Sequence, residues 1–160
     1  IFNRDSEDLI DYVRPNTDAS IFTAANIAEV STQGVEFESS YKFKMSNYNQ
    51  TITFGYTYLN DDILDQNKDL SRYSLNTLKH QFISRFTSQL FKNVRQNIIF
   101  KHAERTVGTS YNVWDASLLV DFNKFTFTLT ANNIFNADYI ESGFVPMPSS
   151  NVLFGLRYGF

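Results

Sequence analysis

His80 and His102 are the only histidines in this 160-residue chain, and two imidazoles are the simplest start for a metal site or a proton relay. A hairpin turning near Asn93 places His80 opposite about residue 106, several positions from His102, so their spacing predicts two separate wall residues rather than a ligand pair. The acidic run Asp61-Asp62-Ile63-Leu64-Asp65-Gln66-Asn67-Lys68-Asp69 invites a calcium reading, because Asp65, Asn67 and Asp69 match the first three ligand offsets of an EF-hand loop. Leu70 stands where the turn glycine is needed and Asn76 where the bidentate Glu is needed, so a solvated loop is the expectation and no metal is assigned. No Ser-His-Asp grouping and no glycine-rich phosphate loop occurs, and with no Cys there is neither a thiolate nucleophile nor a disulfide frame. The residues therefore predict no enzyme, no catalytic side chain and no cofactor. Tyr111 and Trp114 could stack on a ligand, although a girdle position at an interface explains both equally well and the outward-facing Trp114 better.

Composition narrows the choice further. Sixteen Phe, nine Tyr and one Trp give an aromatic share of 16%, and 14 basic against 17 acidic residues leave a net charge of −3. Such a balance lacks the basic stripe that nucleic acid demands, and the aromatic load excludes a disordered chain. Apolar runs reach only four or five residues, too few for a membrane-spanning helix.

What must position any site is a set of strands, because period-2 alternation dominates. Four segments alternate cleanly: Val35, Phe37, Ser39, Tyr41 and Phe43; Ile52, Phe54, Tyr56 and Tyr58; Phe125, Phe127, Leu129 and Ala131; Val152, Phe154, Leu156, Tyr158 and Phe160. Four weaker ones are expected at 1–13, 75–91, 95–105 and 111–122, and the adjacent Ile98 and Ile99 leave the facing of 95–105 open. Each strand has one greasy and one wet face.

The connections sort by length. Met45–Tyr48, Lys92–Val94 and Asn123–Lys124 are short; Arg14–Ala25, Asp61–Asn76, Thr106–Ser110 and Asn136–Ser150 are polar and mostly long, and the two kinds alternate. An up-and-down antiparallel sheet then carries every short turn at one end, the habit of outer-membrane barrels. Phe43, Phe91, Phe122, Phe125 and Phe160 gather at the short-turn ends, as a girdle would. The expected fold class is all-β: an antiparallel up-and-down transmembrane β-barrel, about eight strands in this chain.

The C-terminal stretch Asn132–Phe160 closely resembles the end of TonB-dependent outer-membrane receptors. Asn133, Ile134, Phe135, Asn136 and Tyr139 match the family's Asn-Leu-Phe-Asn motif with its following Tyr; Pro146, Met147 and Pro148 match a Pro-Met-Pro string, from which Ser149 and Ser150 depart; and Phe160 supplies the terminal aromatic. Asp8-Leu9-Ile10-Asp11, Gly34-Val35-Glu36 and Asp115-Ala116-Ser117 are similar to further family elements.

The resemblance implies that these are the last eight strands of a 22-stranded barrel, with a plug domain and the earlier strands outside this chain; the start at Ile1, within a strand and without a leader pattern, fits that expectation. It implies an active-transport receptor for a scarce nutrient (an iron-siderophore, haem or cobalamin rather than a glycan) in the cell outer membrane of a Gram-negative bacterium. Its partners would be membrane lipid, the protein's own plug, the remaining strands, the TonB complex through the N-terminal part, the nutrient ligand and a surface lipoprotein. Ile52, Phe54, Tyr56, Phe127, Leu129 and Leu156 are expected to face lipid. Thr53, Thr57, Thr128, Thr130 and Arg157 are expected to face the lumen, with Glu36, Glu38, Lys42 and Arg85. Phe154, Leu156, Tyr158 and Phe160 resemble a barrel-assembly signal, and Tyr73, Arg105, Tyr111 and Tyr139 are the substrate-loop candidates. A passive or structural eight-stranded outer-membrane barrel and a soluble β-barrel holding an apolar ligand are the alternatives.

Overall fold

A computed structural model describes residues 1–14, 21–27, 30–63, 70–71, 77–106, 110–142 and 145–160. Every regular element among them is a strand: β1 (Phe2–Ser6), β2 (Leu9–Arg14), β3 (Thr23–Ile27), β4 (Val30–Met45), β5 (Tyr48–Ile63), β6 (Leu70–Ser71), β7 (Leu78–Phe91), β8 (Val94–Arg105), β9 (Tyr111–Phe122), β10 (Phe125–Asn132), β11 (Ile140–Ser142), β12 (Val145–Pro146) and β13 (Asn151–Tyr158). Eight of them form one antiparallel meander in the order β1-β4-β5-β7-β8-β9-β10-β13, an open sheet with β1 and β13 at its edges. The eight expected strands are thus the eight of the sheet.

Register explains why the alternation was so clean. Directly opposed residues share a face. One such row crosses seven strands as Tyr41, Ile52, Phe86, Ile98, Ala116, Ala131 and Val152, all apolar. One residue along, the row reads Lys42, Thr51, Thr87, Asn97, Ser117, Thr130 and Leu153, all polar but the last. The sheet therefore has an apolar and a polar face. Ile98 goes to the first and Ile99, opposite Arg85 and Asp115, to the second, which resolves the facing of 95–105.

Short turns depend on residues that accept a left-handed backbone. Ser46 and Asn47 both have positive φ (51° and 71°), which a two-residue type I′ hairpin requires, and Asn123 has φ 54° in the turn before Phe125. Near Asn93 the register slips between Gln89 and Phe91, so Phe91 pairs with Val94 on the apolar face despite its odd number. A second slip between Leu78 and His80 places His80 opposite Glu104 rather than near residue 106, and His102 opposite Phe82. The histidines share the apolar face near its upper rim, but each ring takes its own partner: His80 Nδ1 lies 2.8 Å from Tyr56 Oη and His102 Nδ1 2.9 Å from Asn112 Oδ1.

Three expected boundaries are corrected. Strand 1–13 breaks at Glu7–Asp8, where Asp8 adopts φ 55° and accepts a hydrogen bond from Asn26, so β1 stays in the main sheet while β2 leaves it. β4 and β5 run to sixteen residues each, so Asp61–Ile63 belong to a strand rather than to the loop. Ala24 and Ala25 likewise pair in β3. β2, β3 and β6 form a separate three-stranded sheet, in which Val13 and Arg14 pair with Ser71 and Leu70, so the first two long connections are joined by backbone hydrogen bonds. Asp65, Asn67 and Asp69 of the calcium reading lie outside the described residues.

Gly34 shows how one expected motif is enforced by packing. It pairs with Phe2, and a Cβ there would lie 2.3 Å from the Phe2 ring. Only glycine admits an aromatic ring laid across the neighbouring backbone in this way.

Candidate functional site

The described part of the last connection lays Tyr139 and Glu141 on the polar face of β8 and β9, and the Asn-Ile-Phe-Asn motif is what turns it. Asn133 (φ 47°) and Asn136 (φ 53°) both sit in left-handed backbone, which Asn tolerates better than other non-glycine residues. Asn133 is 3% exposed. Its Nδ2 donates to the carbonyls of Ala137 and Pro148 (2.9 and 3.2 Å), its Oδ1 accepts from Ala137 N (2.8 Å), and its own N–H donates to Asp115 Oδ1 (2.8 Å). Asn136 Oδ1 accepts from Ser150 N (2.9 Å), closing the connection at its far end. Ala, which can adopt neither set of bonds, would leave buried backbone groups unpaired.

This turn delivers Tyr139 and Glu141 against the wall. Ala103, Tyr111 and Val113 form a small buried cluster on the polar face, with Leu78 and Tyr139 packed on it. The Tyr111 and Tyr139 rings lie 4.7 Å apart at 33°. Lys101 Nζ is ion-paired with Glu141 Oε1 and sits 5.7 and 5.5 Å from the centres of those two rings, within cation–π range. Tyr111 Oη also donates to Glu141 Oε1 (3.3 Å), and Arg105 lies beside the Tyr111 hydroxyl. Burial, then the carboxylates of Glu141 and Asp115, pushes the Tyr139 phenol above its ordinary pKa, so it is a neutral ring with a proton to donate.

Of the four substrate-loop candidates, the structure brings Arg105, Tyr111 and Tyr139 into one cluster; Tyr73 lies outside the described residues. Lys101 and Glu141 were not singled out by the sequence. The ambiguity at Ile98-Ile99 hid which way Lys101 points, and nothing local pairs Glu141 with a residue forty positions earlier. Trp114 is on the apolar face, packed edge-on against Phe135 (6.3 Å) and against Phe100 (4.7 Å).

Elsewhere the polar face carries a solvated ladder. Arg95 pairs with Asp121 (2.8 Å), which accepts from Thr126 (2.8 Å), and Arg157 donates to Thr126 (3.3 Å). Near β4, a shallow depression of about 460 Å³ is lined by Glu36, Glu38, Gly55, Thr57, Gln81 and Ile83. Among the described residues no cluster of three or more metal-ligating side chains occurs.

A two-faced meander with short turns at one end and the long connections at the other, the last of them laying Tyr139 and Glu141 on the polar face, is the wall of a barrel rather than the half of a sandwich. The family model for the TonB dependent receptor-like β-barrel matches residues 1–136. The chain belongs to that family. No curated protein and no solved structure matched it. TonB-dependent receptors are outer-membrane proteins that transport nutrients, so this sheet is part of the wall of an outer-membrane transport barrel. The family consists of transporters, not enzymes.

Proposed function

We propose that this chain is the C-terminal portion of a 22-stranded TonB-dependent receptor barrel that imports an iron-siderophore, haem or cobalamin. The observation that supports this reading is the last connection: it is folded over the polar face and presents Lys101, Arg105, Tyr111 and Tyr139 at the long-connection end, where a solute would enter. The apolar face, with Ile52, Phe54, Tyr56, Phe127, Leu129 and Leu156, contacts lipid; the polar face lines the lumen, where the Glu36–Glu38 depression meets the plug. The TonB complex engages the plug-bearing N-terminal part, and a surface lipoprotein is a further candidate at the long connections.

Uptake by the full-length receptor tests the transport reading. Removing residues 64–69, between β5 and β6, should lower uptake of the preferred compound among ferric siderophores, haem and cobalamin while barrel heat-modifiability is unchanged. Equal uptake of all three, with or without the deletion, would place recognition in the plug and the earlier strands. For the facing, Leu129→Arg should cost about 2–4 kcal/mol near the bilayer midplane and Thr130→Arg close to nothing, read from unfolding in lipid vesicles. Equal costs would refute the lipid assignment.

The closing strand has a proposed second role. An open edge in hydrocarbon leaves backbone groups unpaired, so β13 must find a partner beyond β10. Phe154, Leu156, Tyr158 and Phe160, with the last two packed edge-on at 5.3 Å, form the signal for barrel assembly. Deleting Phe160 should slow pulse-labelled insertion while the inserted receptor stays fully stable; unchanged insertion kinetics would leave Phe160 as a girdle ring only.

A further inference from the structure

The cluster on the polar face is built from two halves of different origin. The wall supplies a cation and a ring, Lys101 on β8 and Tyr111 on β9, with Arg105 beside them. The last connection supplies a ring and a carboxylate, Tyr139 and Glu141. Every contact between the halves is one that a free molecule could make: a carboxylate on Lys101 Nζ, a hydrogen bond from Tyr111 Oη, and a ring packed on Tyr111 within reach of the ammonium.

We propose that Tyr139 and Glu141 are a built-in competitor occupying a binding cradle formed by Lys101 and Tyr111, and that the external ligand of this cradle is an aromatic ring bearing a carboxylate. The inference rests on the transport reading, which opens this face to solutes. With Glu141 withdrawn, Lys101 loses its carboxylate partner, and the nearby Asp115 is already engaged by the Asn133 N–H. The emptied cradle is therefore cationic and aromatic, and it prefers an acid of that shape over a neutral ring. The connection is not free to drift when displaced, because Asn133 and Asn136 tether both of its ends. Ligand and Glu141 exclude one another, so measured affinity is the intrinsic affinity multiplied by the fraction of time that Glu141 is out of the cradle. Ligand binding and displacement of Glu141 are then one equilibrium, and an arriving acid lifts Tyr139 and Glu141 off the wall while the ends of the connection stay in place.

Calorimetric titration of the full-length receptor in detergent with 4-hydroxybenzoate tests this. Glu141→Gln keeps the shape and removes the charge of the competitor, and should bind the probe about tenfold more tightly than wild type. Lys101→Met should abolish binding and Lys101→Arg should retain it; heat-modifiability of each variant reports that the barrel is folded. A spin label at Asp138 should gain mobility when wild type is saturated with the probe. Unchanged or weaker binding by Glu141→Gln, no binding to any variant, or a label that ignores the probe would each overturn the proposal. Nutrient uptake is read separately. Normal uptake with no probe binding defeats the cradle and leaves the transport reading standing, whereas probe binding without uptake does the reverse.

Discussion

The first and last long connections rise from the same end of the sheet and are held in different balances of backbone pairing and side-chain contact. The first is held mainly by backbone pairing: β2 pairs with β3 and β6 in a sheet of its own, with the Asn26–Asp8 hydrogen bond and Arg14 over the Phe22 ring beside it, and Ile10 at 78% exposure and Ile21 at 85% stay exposed. The last is held by side chains, through the hydrogen bonds of Asn133, the Asn136 cap, the Tyr111–Tyr139 contact and the Lys101–Glu141 pair. Backbone pairing is tolerant of sequence and fixes no particular surface. Side-chain anchoring demands specific residues and fixes the position of each group against the wall, which is what a binding cluster needs.

Two substitutions put that contrast to the test. The largest effect is expected at Asn133. Asn133→Ala strands the Ala137 N–H and two carbonyls and leaves a left-handed backbone without its Asn, a cost of about 3 kcal/mol. Hydrogen exchange should rise at Ala137 and in the turn around Asn133, while β2 and β3 keep their protection. If protection there is unaffected, the last connection is held by its own hairpin, β11 with β12, and the contrast collapses.

A smaller effect is expected beneath the first connection, where β1 and β4 lead up to it. Gly34→Val drives a side chain into the Phe2 ring and should cost about 1–2 kcal/mol in denaturant unfolding. Combining it with Phe2→Ala should recover most of the loss, since the two residues share one space. Additive losses would mean that Gly34 serves some purpose other than admitting the ring.

Much of this architecture was readable along the chain, for a local reason. A strand in a two-faced sheet records its environment every second residue, so Phe125–Ala131 and Val152–Tyr158 announce both their conformation and their common face. Turns are recorded as well, because a two-residue hairpin tolerates few residues and Ser46-Asn47 and Asn123 are among them. Bulges are not so recorded. The slips at Lys79 and Leu90 change which parity faces which side, and they arise from accommodation between strands rather than from any one segment.

Sequence by itself determined the sheet, the sorting of its connections and the family, since strand periodicity, turn chemistry and motif spacing are properties of neighbours in the chain. Its candidates Arg105, Tyr111 and Tyr139 were placed at the right end of the molecule, but only the tertiary structure brought them together and added Lys101 and Glu141. It alone also decided that β2 leaves the main sheet to join β6. An ion pair spanning forty residues and a strand pairing between two loops depend on where the chain returns in space, and short-range alternation carries no information about that return.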